Sequence, residues 1–428
     1  MPAVPSAAEV HRTVHAVFRI ESPKLIGALA RMLRDVGRAE ELAQDALLAA
    51  LETWPEQGVP DNPGAWLTQT AKRKAIDELR RHRLLERKHA ELGRDALETR
   101  PDDALAIETA VDDDIGDDLL RLVFTSCHPV LSVDARVSLT LRVLGGLSTA
   151  EIARAFLTTE PTIQQRIVRA KKALADANVP FEVPRGQALA ARLGSVLEVV
   201  YLIFNEGYSA TTGDDWMRPE LCQDALRLGR ILAGLMPDER EVLGLLALME
   251  IQGSRSRARI GPSGEPVLLL DQNRALWDFL AIGRGLAALD RANALGGEPG
   301  TYQLQASIAA CHARARRAED TDWVAIAALY QDLAELTGSP IVELNRAVAV
   351  GMAAGPAAGL AVLDGVASAP ALRGYHLLPS VRGNFLEKLG RFQEAGKELR
   401  RAAELTQNSR ERELLLARAA SVGNRSQP

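Results

Sequence analysis

In the stretch AEELAQDALLAAL, the residues Ala39, Leu42, Ala43, Ala46, Leu47 and Ala50 recur at i, i+3, i+4, i+7, i+8 and i+11. That spacing lines one side of an α-helix and fits no strand. The same period returns along most of the chain, while the Val/Ile/Thr alternation of a half-buried strand is scarce. Ala, Leu and Arg abound and aromatics make up only 4%, a mix of residues that lose little side-chain freedom on entering a helix. The expected fold class is all-α. At 428 residues the chain exceeds one compact core, so two to four domains are expected.

Cys127, Cys222 and Cys311 are scattered and odd in number, which excludes a disulfide framework; buried thiols in a reducing compartment are expected. The opening MPAVPSAAEVHRTV lacks a basic segment followed by an apolar run, so no signal peptide is read there. No apolar run is seen to approach the ~20 residues of a membrane span. The expectation is a cytoplasmic protein with no membrane contact.

A formal net charge of −5 conceals segregation. From Lys72 to Lys88, KRKAIDELRRHRLLERK is densely basic; from Glu91 to Asp118 the chain turns acidic, ending in VDDDIGDD; Thr162–Lys172 is basic again. Basic modules around an acidic joint point to a polyanion-binding protein. The organisation expected is a helical domain over 1–92, an acidic linker over 93–116, a second helical domain over 117–178 and, after the Pro-broken VPFEVPRG, a long helical region over 179–428. Within the first domain, Glu40, Glu41, Gln44 and Asp45 are placed on the polar face of the opening helix, which Trp54-Pro55 should end. After the loop PEQGVPDNPG a second helix begins near Ala65, with Trp66, Ala71, Ala75, Ile76 and Leu79 on its buried side and Lys72, Arg73, Arg80 and Arg81 near its surface.

The punctuation from Gly145 to Pro161 is specific. Gly145-Gly146 stops a helix, Ser148 and Glu151 form a capping box, and after LTTE Pro161 stands in the first turn of the next helix, where its missing N–H costs nothing. Short helix, tight turn, longer helix is the helix-turn-helix outline. On the longer helix Ile163, Ile167, Ala170 and Leu174 face the core, which leaves Thr162, Gln165, Arg166, Arg169 and Lys172 on the other side. Forked Gln and Arg side chains suit adenine and guanine edges in a major groove, and the later cations suit phosphates.

Toward the C-terminus, FLEKLGRFQEAGKELRRAAELTQN carries Leu389-Gly390, Ala395, Leu399 and Ala402 where a tetratricopeptide unit sets small residues at a helix crossing; ELNRAVAVGMAAGPAAGLAVLDGV is a weaker echo. No catalytic motif stands out: there is no phosphate loop, nucleophile elbow or His-Glu-x-x-His. Glu206, Asp214, Asp215, Asp320, Asp322 and His376 form no pattern, and the adjacent pairs Cys127-His128 and Cys311-His312 point about 100° apart on a helix, not preset to chelate. No enzyme activity, metal or cofactor is expected.

Taken together, AEELAQDALLAAL, the Gly/Pro loop, AWLTQTAKRKAIDELRRHR and LTLRVLGGLSTAEIARAFLTTEPTIQQRIVRAKKAL resemble domains two and four of the extracytoplasmic-function (ECF) sigma factors of the sigma-70 family. With YLIFNEGYSAT, DTDWVAIAALY and ELNRAVAV, the chain resembles the subgroup that carries a long, tetratricopeptide-like C-terminal extension. The resemblance implies a subunit that directs core RNA polymerase, through its β′ and β subunits, to promoter DNA. It makes Glu41, Gln44 and Asp45 the polymerase-docking residues. It gives Asp61, Asn62, Lys72, Arg73, Lys74, Arg80 and Arg81 to the −10 element, with the acidic linker as a mimic of nucleic acid. Thr162, Gln164, Gln165, Arg166, Arg169 and Lys172 become the −35 readers, although Pro161 departs from the family's usual lead into that helix. The extension is expected to regulate, through a protein partner or a contact within the chain. The alternative is a helix-turn-helix repressor with a ligand-sensing C-terminal domain, which predicts a homodimer on a palindromic operator and leaves the first domain without a role.

Overall fold

The computed structural model describes residues 7–92, 115–156, 158–208, 217–262, 265–406 and 408–424. The acidic linker over 93–114, and with it the acids expected to mimic nucleic acid, lies outside the described residues, as do Asp214 and Asp215. Eighteen α-helices account for most of the rest, and the pairing of Ile260 with Pro266 is an isolated bridge. The chain is all-α. It forms two compact units, Met1–Val199 and Val200–Pro428.

The first unit opens with α1 (Ala7–Leu33), α2 (Val36–Gln57) and α3 (Pro63–Leu92). Asp35 starts α2 by accepting a hydrogen bond from the Arg38 N–H at 3.0 Å. Helix α2 runs past Trp54-Pro55, where the sequence pattern ended it. Pro55 sits in its last turn, and the stop comes at Gly58, whose φ of 85° and N–H bond to the Trp54 carbonyl close the helix. The stripe from Ala39 to Ala50 is buried as its spacing required. Trp66 is half-buried, edge-on to the buried Trp54 at 5.4 Å.

After the linker come α4 (Ile115–Ser126), α5 (Val133–Val143), α6 (Thr149–Ala155) and α7 (Glu160–Asp176). Ser132 caps α5. Both halves of the Ser148–Glu151 capping box are present on α6, and Gly146 takes the left-handed φ of 68° that the turn before it needs. Thr159 caps α7, with Pro161 in its first turn. Helix α8 (Gln187–Tyr208) crosses from one unit to the next. In the first unit it is tied to α5 by Arg136, which donates to Ser195 and pairs with Glu198 at 3.0 Å. Among the described residues α8 is the one helix long and apolar enough to cross a membrane by length and composition, contrary to the sequence reading. Its apolar side, Val196, Leu197, Val199, Val200, Ile203 and Phe204, is buried in the protein.

The second unit continues with α9 (Pro219–Leu235), α10 (Arg240–Gly253), α11 (Phe279–Ala294), α12 (Thr301–Arg314), α13 (Trp323–Thr337), α14 (Pro340–Ala354), α15 (Pro356–Val366), α16 (Leu377–Lys388), α17 (Phe392–Leu405) and α18 (Ser409–Asn424). Most helices pack chiefly on a chain neighbour, α12 instead on α10 two elements back, and small cores follow one another along the array: α10–α12, then α12–α14, then α14–α16, then α16–α18. This is the nearest-neighbour build of a helical repeat protein. Helices α14 and α15 close on each other through glycines; a Cβ on Gly359 would lie 2.7 Å from the Gly351 Cα and 2.6 Å from the Phe385 ring. At the tetratricopeptide-like end Ala395, Leu399 and Ala402 are fully buried. Gly390, at φ 75°, makes the turn between α16 and α17.

Candidate nucleic-acid interface

Helix α7 is divided as its period requires. Ile163, Ile167, Ala170 and Leu174 are buried, while Thr162, Gln164, Gln165, Arg169 and Lys172 are exposed. Arg166, half-buried, reaches Asp134 at the start of α5 at 3.2 Å. The Thr162 hydroxyl is 2.7 Å from that of Thr159 and so belongs partly to the helix cap. Lys172 pairs with Asp176 at 3.2 Å, both well exposed, a contact of small energetic weight. Two shallow clefts flank the exposed face, one of 400 Å³ against α5 and one of 530 Å³ along Pro161, Gln164 and Val168; Thr162 and Gln165 border both.

Lys171 breaks the basic face. It turns inward to Glu40 of α2 at 2.6 Å, and Arg142 of α5 takes the other oxygen of the same carboxylate at 2.8 Å. Glu40 is only 4% exposed, so its placement on the polar face of α2 is corrected. It stands four residues after Val36 and three before Ala43, both buried, hence at the edge of the apolar stripe. A second buried carboxylate, Asp118 of α4, is held by Arg31 of α1 at 3.1 Å and Arg121 at 2.7 Å. The two helical modules of the first unit are thereby clasped at two points, each with more positive than negative charge. Buried carboxylates require such partners, because an isolated one would be too costly to desolvate.

On the outer side of α2, Glu41 is exposed and pairs with Arg38 at 2.7 Å. Arg38 also grips Glu78 of α3 with two nitrogens at 2.7 and 2.8 Å. These bonds from Glu78 and Glu41 hold the guanidinium pKa above its ordinary value. Asp45, half-exposed, pairs with Lys74 at 3.1 Å, and Gln44 beside it is half-buried. Thus a candidate docking residue and a candidate DNA-binding residue touch. Asp61 and Asn62 are exposed before α3. The Asn62 side-chain oxygen accepts from the Ala65 N–H at 3.1 Å, so it serves as the helix cap as well as a loop group. Asn62 and Lys72 border a 380 Å³ cleft between α1 and the start of α3. Arg73, Lys74, Arg80 and Arg81 are exposed along α3. Sequence reasoning missed the clasp residues Arg31, Asp118 and Arg142, whose long-range pairing no local period reports.

Cys127 is buried against the Thr140 hydroxyl at 3.3 Å, and burial raises its pKa. Burial also pushes Cys222 up to about 12. Among the described residues no group of His, Cys, Asp and Glu is placed to hold a metal ion.

Comparison with known proteins follows the same division. Residues 17–84 match sigma-70 region 2 and residues 121–174 match sigma-70 region 4. Residues 192–293 match a family of unknown function (DUF6596). An uncharacterized protein of Rhizobium meliloti (strain 1021) is 43% identical over 390 residues, covering 91% of both chains. The ECF RNA polymerase sigma factor SigK of Mycobacterium ulcerans (strain Agy99) is 29% identical over 153 residues, covering 35% of this chain and 78% of its own. SigK of Mycobacterium tuberculosis (strain ATCC 25618 / H37Rv) is 28% identical over 155 residues, with the same coverage. No solved structure matches. A helix-turn-helix with an exposed Gln/Arg face, a preceding helical module with a basic helix, and matches to both sigma-70 regions in that order place the chain in the sigma-70 family, as an ECF sigma factor with a long C-terminal helical extension.

Proposed function

We propose that the chain binds bacterial core RNA polymerase and brings it to promoters through two separate DNA contacts. The observation that carries this reading is the split of α7: its apolar residues and Lys171 turn inward, while Thr162, Gln164, Gln165 and Arg169 are exposed toward a groove. Those residues, with Arg166 and Lys172, read the −35 element. Asp61 and Asn62 meet a splayed base of the −10 element, and Lys72, Arg73, Lys74, Arg80 and Arg81 follow its backbone. Glu41, Gln44 and Asp45 dock on a basic surface of the β′ subunit, and the first two helical modules, over 1–92 and 117–178, act as sigma domains two and four. The protein supplies selection and strand capture in the cytoplasm; polymerase supplies the chemistry. Elements centred about 25 base pairs apart are separated by roughly 85 Å at 3.4 Å per pair, so the Glu40 clasp has to part when both are read.

The test is transcription by core polymerase on a promoter selected with the full chain. Gln165→Ala and Arg169→Ala each remove a groove contact and should lower output about fivefold to a hundredfold, at ~1–3 kcal/mol per good base contact. Polymerase binding should be unchanged. Full output from the double variant would overturn the assignment of α7. A repressor reading predicts tight operator binding without polymerase and assigns region 2 nothing to do; it is not favoured.

The second unit is the regulatory part of this reading, supported by its stacked helices, which present a partner surface of the kind repeat arrays use. A chain ending after Tyr208 should differ from the full chain in transcription output. Equal output with equal polymerase binding would contradict it.

A further inference from the structure

Of the chain's five tyrosines and five tryptophans, six lie in the second unit at or near one group of arginines, two of them, Tyr208 and Trp277, directly against it. Tyr201 meets Tyr302 edge-on at 5.3 Å, and Trp323 meets His312 at 5.1 Å. Arg259 lies 3.6 Å from the centre of the Tyr208 ring and Arg274 lies 4.4 Å from that of Trp277. Arg255 stands between them, 5.9 Å from both rings. Tyr330 is half-buried in the same unit; burial, then Tyr201, push its phenol up to about 12, against a smaller opposing effect of Arg255.

The hydrogen bonds that Arg255 and Arg274 make go to a hydroxyl and to carbonyls, not to carboxylates. Arg255 donates to the Tyr208 hydroxyl at 2.7 Å. Arg274 donates to the carbonyls of His312 and Ala315 at 2.6 and 2.7 Å. Neither has a carboxylate in ion-pair reach among the described residues; Glu319 and Asp320 act on Arg274 only from farther away. Donors are in excess: Arg255 Nε, Arg274 Nη2 and Trp277 Nε1 are buried with no acceptor, and His312 Nδ1 is buried without a partner. Burial, then the charges of Arg255 and Arg274, bring His312 down to about 4, so the imidazole is neutral near pH 7 and adds no charge. Like charges drawn together in a half-buried cluster, with no acid paired to them among the described residues, are costly unless an anion joins them.

We propose that this cluster binds a small organic molecule through an oxyanion, phosphate or carboxylate, held by Arg255 and Arg274 and bordered by Trp277, Trp323 and Tyr208. Guanidinium forks match oxyanions in charge and geometry, and aromatic walls with a few fixed polar groups are what ligand sites are made of. The site lies within the segment that no other part of the function uses. Such a ligand would be the signal a regulatory C-terminal unit answers to, and in that respect the inference rests on the regulatory reading. Binding is read without polymerase, so the two can fail separately.

The experiment titrates the full chain with inorganic phosphate, pyrophosphate or acetate at constant ionic strength, with chloride as the control, following tryptophan fluorescence and thermal midpoint. At least one oxyanion should bind saturably, and Arg255→Gln or Arg274→Gln should weaken it about tenfold or more, the worth of a charge-assisted hydrogen bond. The phosphates and acetate separate the two oxyanion chemistries. In the unaltered protein, the bound oxyanion should shield Arg255 and Arg274 from an arginine-specific dicarbonyl reagent, read by peptide mass mapping; this arm decides the matter if a variant fails to fold. No effect beyond chloride, or shielding confined to other arginines, would mean that these side chains only stack on rings and cap carbonyls, and would overturn the proposal.

Discussion

Glu40 shows how much one side chain contributes in this fold. Its carboxylate, 4% exposed, takes Lys171 at 2.6 Å and Arg142 at 2.8 Å. Glu40→Ala removes the acid and leaves two partly buried cations facing each other, so the first unit should lose about 2–4 kcal/mol of stability in urea unfolding. A loss near zero would mean the clasp is loose in solution. His312 gives a second test, with the sign fixed by linkage. Its pKa is lowered from 6.5 to about 4 in the fold, so between those values the unfolded chain binds a proton that the folded one does not. The stabilisation is complete above about pH 6.5 and is lost as pH falls to about 4, by roughly 3 kcal/mol. His312→Gln should flatten that stretch of the stability curve for the second unit; an unchanged slope would contradict the burial of the imidazole. Both residues were only partly legible in the sequence. Periodicity put Glu40 at the margin of the apolar stripe, but its partners lie 102 and 131 residues away. Nothing local reports a contact of that range. His312 stood out as one of a Cys-His pair, whereas its environment is made by arginines and aromatics from three other segments.

At the scale of elements, the signals that held are those written within a few residues. The capping box at Ser148 and Glu151, Pro161 in the first turn of α7, the buried set Ile163, Ile167, Ala170 and Leu174, and the small residues of α17 all stand where their chemistry placed them. The failures share a cause as well. Pro55 was taken as a stop, but α2 accommodates it in its last turn, without the bond its missing N–H would have made to the Leu51 carbonyl, and Gly58 ends the helix. Helix α8 was not seen as a span-length apolar segment, because Arg192 and Glu198 interrupt it; both face partners in the first unit, Arg192 the Phe124 carbonyl at 2.6 Å and Glu198 the Arg136 guanidinium. One glycine sets a helix contact that can be tested. A Cβ on Gly207 would stand 2.6 Å from the Cys222 backbone nitrogen and 2.9 Å from the Arg218 carbonyl. Gly207→Ala must therefore push α8 and α9 apart and should cost about 1–3 kcal/mol. A neutral result in thermal unfolding would mean that α9 yields without strain.

For the whole molecule, local order and function diverge. The first unit brings residues from α1 to α8 into one body with long-range ion pairs, and the residues proposed to meet DNA and polymerase lie exposed or half-exposed on it. The second unit is built mostly from neighbours packed on neighbours, so its strongest candidate site could be found only once α8, the segment between α10 and α11, α12 and α13 were assembled. Sigma-factor identity was legible because two motifs stand in a fixed order; the chemistry of the extension was not, because its arginines and aromatics are spread from Tyr201 to Tyr330. The central claim, that this chain is a polymerase subunit, is tested most directly by co-elution of the full chain with core RNA polymerase on a sizing column, beside Asp45→Arg. Asp45 is 46% exposed in its side chain and pairs with Lys74, so reversing its charge should disturb docking more than folding. The account predicts a stoichiometric complex that Asp45→Arg weakens by about tenfold or more, as charge reversal at a complementary interface does. Failure of the unaltered chain to co-elute, or co-elution indifferent to Asp45→Arg together with Glu41→Arg, would contradict it.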